Sequence, residues 1–165
     1  MERKLAELIY EMSDYDKSSV QRIQHFIKVH NLCAVIGSLE GLDEDTLYTL
    51  ETAAILHDIG IRPSLEKYGA DAGHYQELEG PPEAEKMLRR LGLDNDELID
   101  RVKFLVGHHH TYDNIDGLDY QILIEADFLV NLFENNSDNE KIMNVKKNIF
   151  KTRTGLKMFE DMFEH

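Results

Sequence analysis

Apolar residues recur at intervals of three and four along nearly the whole chain, and the three prolines are confined to positions 63, 81 and 82. A period near 3.6 brings one face of a helix to a core, whereas a half-buried strand needs strict alternation. No run sustains that alternation, so the pattern predicts an all-α fold, a helical bundle. With 165 residues, 42% of them apolar, residues 1–165 can bury a core as one compact domain without help from disulfides.

The same periodicity sets provisional helix bounds. A first helix is expected over residues 2–12, and a second from the Ser18-Ser19 cap to a stop near Gly41. Asp43 caps a third that carries EDTLYTLETAAILHD. Residues 60–80 contain four glycines and no sustained period, which predicts a long loop of the kind that often serves function. Pro81-Pro82 then begins a short helix ending at Gly92. Asp94 or Asn95 caps DELIDRVKFLVGHHH, and the turn-rich TYDNIDGLD leads to helices at about 120–135, 139–150 and 154–163.

Charge and cysteine content narrow the partners. Eighteen Lys and Arg against 32 Asp and Glu give a net charge of −14, a surface that repels polyanions, so nucleic acid is not expected as a partner. Cys33 stands alone, which excludes an internal disulfide and a cysteine-rich zinc site. The N-terminus is too charged for a signal peptide and no apolar run is long enough to span a bilayer. These features predict a soluble cytoplasmic protein with no membrane partner.

Several polar residues fall on apolar stripes, where burial without a partner is costly. Val29, Leu32 and Ile36 lie four, seven and eleven residues after His25, on its face. Leu47, Leu50, Ala54 and His57 are spaced three, four and three, and so are Tyr120, Leu123, Asp127 and Val130. Any one of these is more often a hydrogen-bonded core group than a ligand. His25, His57, Asp58 and Asp127 together, on three inward-facing helices, make a mixed nitrogen and oxygen set suited to a divalent transition metal.

RIQHFIKVH at 22–30, AAILHDIG at 53–60 and IEADFLVN at 124–131 resemble, in order and separation, the His, His-Asp and Asp motifs of the HD-domain superfamily of metal-dependent phosphohydrolases. The resemblance covers about residues 20–135, leaving the helices of 139–163 outside it. It implies an HD-type helical bundle with His25, His57, Asp58 and Asp127 around one metal, His57 and Asp58 at the catalytic centre, and a small anionic phosphomonoester or phosphodiester, a nucleotide being the expected form. Fe, Mn, Ni, Co or Zn, one or two per chain, or Mg, would be the cofactor.

Similar proteins often hold a second metal through further histidines. Here GHHHT supplies His108 and His109, the latter continuing the face of Leu98, Val102 and Leu105. Where the family often has His a few residues before a Gly, this chain has Gln76 four before Gly80, so Glu77 is expected to substitute as an oxygen ligand, or His74 to swing in. Arg22 and Lys28, a turn either side of His25, together with His74 and His110, are the candidate substrate-binding residues. His30 faces away from His25 and reads as surface; terminal His165 has nothing to support a role. Two rival readings keep the metal: a di-iron HD-type oxygenase, and a module that binds a metal or nucleotide without turnover.

Overall fold

A computed structural model describes residues 1–164, and His165 lies outside the described residues. Nine helices and no strand occur among those residues: α1 (Arg3–Tyr15), α2 (Val20–Leu39), α3 (Glu44–Leu56), α4 (Ile61–Tyr68), α5 (Gly73–Arg90), α6 (Asp96–Val106), α7 (Leu118–Glu134), α8 (Asn139–Ile149) and α9 (Arg153–Phe163).

Local chemistry sets many of the bounds. Ser19, Asp43, Asn95, Asp138 and Thr152 each accept a hydrogen bond from a backbone N–H of the first turn that has no partner within the helix. The expected loop over 60–80 is instead two helices, with a break only near residues 69–72. Pro63 sits in the first turn of α4, where no N–H is required, and Gly69 ends that helix in the left-handed region at φ 66°. Pro81 and Pro82 do not begin a helix but lie inside α5.

Mid-helix proline costs about 3 kcal/mol, and tertiary packing overrides that cost here. A Cβ at Gly60 would lie 2.5 Å from the Gln76 carbonyl oxygen, and one at Gly80 would lie 2.7 Å from Val106 Cγ1. The bare backbones of Gly60 and Gly80 therefore let α5 lie directly on the end of α3 and on α6.

The core runs through every layer, with α7 at its centre. From Asp119 to Val130 of α7 every residue but the half-buried Phe128 is buried. Helices α2, α3, α8 and α9 all pack on α7. Glu125, fully buried, fastens α9 to α7: its carboxylate accepts hydrogen bonds from the backbone N–H groups of Lys151 (2.7 Å) and Thr152 (2.9 Å). No helix among the described residues is long and apolar enough to cross a membrane.

Candidate metal centre

Three helices bring His25, His57, Asp58 and Asp127 to one point. His25 projects inward from α2 and Asp127 from α7, while α3 stops at Leu56, so that His57 is its C-cap and Asp58 enters the following turn. His25 Nε2 lies 3.1 Å from His57 Nε2, 3.0 Å from Asp127 Oδ1 and 3.4 Å from Asp58 Oδ2. His57 Nε2 is 3.4 Å from Asp58 Oδ2 and 3.5 Å from Asp127 Oδ1.

Hydrogen bonds on the far side of each ring decide what these nitrogens offer. His57 Nδ1–H donates to the Ala54 carbonyl at 2.6 Å, and His25 Nδ1–H donates to the Glu134 carboxylate at 2.9 Å. Carbonyl and carboxylate oxygens only accept, so in the neutral imidazole each Nε2 carries a lone pair. The two Nε2 atoms face each other at 3.1 Å beside two carboxylates. A cation at that point would meet His25, His57 and Asp58, with Asp127 beside both rings, and the donor set fits a divalent transition metal.

A second group adjoins the first. His109 Nδ1–H donates to the Val106 carbonyl at 2.8 Å, leaving a buried Nε2 with no hydrogen-bond partner, 3.4 Å from Asp58 Oδ1. Asp58 therefore turns one oxygen toward His25 and His57 and the other toward His109. The ligand-bearing atoms of Asp58, His109 and His110 all lie within 4.8 Å of one another.

Without a cation, the carboxylates hold protons on the rings. Burial pulls the His57 imidazole down, but Asp58, Asp127 and the Ala54 carbonyl outweigh it and push it up to about 9. His25 is raised as well: burial opposes, and the hydrogen bond to Asp127 prevails. Burial raises Asp58 and Asp127, yet the facing histidines overcome it and hold both carboxyls below their ordinary range. His110 goes the other way, lowered to about 4 by burial and by the adjacent His109.

The residue that stands in place of the expected histidine has a role in this geometry. Gln76 is buried; its amide nitrogen donates to the Asp71 carbonyl at 2.6 Å, which turns its oxygen toward His110 Nε2 at 3.0 Å. His110 is thus held as the Nε2–H tautomer, with its lone pair on Nδ1.

Other expected residues stand elsewhere. Glu77 accepts from the His110 backbone N–H at 3.0 Å and from Thr111 Oγ1 at 2.9 Å, so it braces the turn that carries His109 and His110 rather than joining the second group. His108 stacks on Phe104 with ring centroids 4.0 Å apart and donates to the Phe104 carbonyl, outside both groups. His74 is exposed and lies against Tyr75, away from the cleft beside the centre. Lys28 is also outside that cleft; its ammonium pairs with Glu134 at 2.6 Å. Arg22 does line it. His30 is not surface: it is buried, with Nε2 2.9 Å from Glu51 Oε1.

Three contributors were not among the expected site residues. Glu134 orients His25, and Asn131 donates to Asp127 Oδ1 at 2.9 Å. Asp16 lies just beyond α1 and accepts from Arg22 Nε at 2.9 Å. Asn131 and Glu134 stand four and seven residues after Asp127, on its face of α7, while the pairing of Glu134 with His25 and of Asp16 with Arg22 becomes visible only when helices are packed.

A helical domain that presents His, His-Asp and Asp in this order has the architecture of the metal-dependent hydrolase superfamily of HD proteins. The HD domain family model matches residues 22–143, and the chain belongs to that family. A crystal structure described as a predicted HD superfamily hydrolase, from an uncultured Thermotogales bacterium, aligns with a TM-score of 0.68 and 27% identity, covering 96% of this chain and 84% of that one. No curated protein matches the chain.

Proposed function

We propose that the chain is a metal-dependent phosphohydrolase acting on a small phosphomonoester or phosphodiester. The observation that carries the reading is the convergence of imidazole lone pairs on Asp58 and Asp127 at the floor of an open cleft. His25, His57, Asp58 and Asp127 would hold Fe, Mn, Ni, Co, Zn or Mg, and His109 and His110 would share Asp58 in holding a second ion. A divalent ion there supplies a Lewis acid to a phosphoryl oxygen and lowers the pKa of water from 15.7 toward ~7.

The chain's own groups do the rest. Glu134 and the Ala54 carbonyl fix the tautomers of His25 and His57, Asn131 orients Asp127, and Gln76 orients His110. Arg22, held through Nε by Asp16, offers the rest of its guanidinium to an anionic ester in the cleft.

Elemental analysis of the purified protein, followed by turnover of aryl phosphates and nucleotides with Mn, Fe, Co, Ni and Mg, tests the reading. One or two ions per chain and hydrolysis with at least one metal are expected. A folded, metal-loaded protein that cleaves no ester with any of them would sink it.

A further inference from the structure

The cleft beside the candidate centre has a lining that metal binding does not use up. It encloses about 300 Å³, at the small end of the roughly 300–1,000 Å³ usual for ligand pockets. Arg22 is the cation in that lining, and among the described residues its guanidinium is engaged only through Nε, by Asp16. Asp16 is 2% exposed and its second oxygen has no hydrogen-bond partner. A buried carboxylate held in this way, with one oxygen on Arg22, serves to fix the direction of the guanidinium.

Four amides, Gln21, Gln76, Asn131 and Asn135, belong to the remainder. The side chains of Gln21 and Asn135 make no hydrogen bond within the described residues, and Asn131 uses only its Nδ2, on Asp127. Ile61 is the one aliphatic side chain of the lining, and no Phe or Tyr reaches it.

We infer that the cleft takes a small monophosphate of a hydroxyl-rich alcohol, a polyol or sugar phosphate, with its phosphate on Arg22 and its hydroxyls on the amides of Gln21, Asn131 and Asn135. This rests on the phosphohydrolase reading above. A hydroxyl is both donor and acceptor, and so is a primary amide, which makes the match mutual. A nucleobase offers flat apolar faces, whose stacking on aromatic side chains is worth about 1–3 kcal/mol per base, and this lining has no such shelf. In the reaction, water oxygen bonds to phosphorus as the ester P–O bond breaks; the alcohol oxygen leaves with a proton that comes from the water, giving the free alcohol and inorganic phosphate.

Calorimetric titration of the manganese-loaded protein with phosphonate analogues of glycerol 3-phosphate, glucose 6-phosphate and AMP tests this without turnover. At least one of the first two is expected to bind tenfold or more tightly than the AMP analogue, and Asn135→Ala with Gln21→Ala is expected to erase that margin. An AMP analogue that binds as tightly, or no binding by any of the three, overturns the inference. Hydrolysis of p-nitrophenyl phosphate is followed in parallel. Turnover with a nucleotide preference leaves the phosphohydrolase reading standing and removes this one; a polyol preference with no ester cleaved does the reverse.

Discussion

The Glu134 carboxylate decides which nitrogen of His25 keeps the lone pair, and Lys28 holds that carboxylate in turn. Partners of this kind on a metal-ligating imidazole are worth about 10- to 100-fold in affinity. Glu134→Gln should weaken metal binding by that factor, read by competition with a chromogenic chelator, while the helical circular dichroism stays unchanged. His30 carries a different consequence. Burial lowers its pKa from the ordinary 6.5, against the pull of Glu51 and with the chain's amino terminus adding to the depression. Because the folded value is the lower one, the stability it confers is complete above 6.5 and is lost as pH falls from there toward the folded value. His30→Gln should therefore flatten the fall in Tm between about pH 7 and pH 5, measured against the wild type by scanning calorimetry. An identical pH slope in the variant would refute it. At this scale the apolar spacing was enough to aim His25, His57 and Asp127 inward, because a helix repeats its face every three or four residues whatever it packs on. His30 shares a face of α2 with buried Phe26 and Cys33, a second apolar stripe beside the one that carries His25, and there it meets Glu51 of α3.

Helix α5 shows where local pattern fails as a guide to elements. Glycines and prolines between residues 60 and 82 predict a loop and a helix start, yet α5 runs from Gly73 to Arg90 through Pro81 and Pro82. Gly60 and Gly80 act there as contact points rather than breakers, because their missing side chains admit another backbone. Gly60→Ala places a methyl group 2.5 Å from the Gln76 carbonyl oxygen. Overpacking of this sort costs about 1–3 kcal/mol, and urea denaturation should report a loss of that size. Hydrogen exchange should quicken in α5 first, since that helix must move to make room. An unchanged urea midpoint would show that the close approach is not needed.

Across the whole molecule, the centre joins α2, the end of α3 and α7, so an ion held there ties together helices that are distant in the chain. A ligand that binds the folded state alone stabilises it by about 2.7 kcal/mol at a hundredfold excess over Kd, and each kcal/mol moves Tm by about 2–4 °C for a chain of this size. Chelator treatment should thus lower Tm by about 5–10 °C, and adding back the native ion should restore it. No change on chelation of a protein shown to have held the ion would contradict the arrangement.

The sequence by itself determined the helical class, the inward direction of His25, His57 and Asp127, and their resemblance to the HD motifs, because hydrophobic period and short-range capping are properties of neighbouring residues. Tertiary structure decided which further groups gather at the centre. Burial and hydrogen-bond partners from other helices placed His110 rather than His108 beside Asp58, turned Glu77 to brace a turn, gave Gln76 to His110, and brought Glu134 and Asp16 behind His25 and Arg22. Apart from Asp16 and Arg22, which meet across the short turn between α1 and α2, these are contacts across tens of residues, set by how helices cross, and no local spacing encodes a crossing.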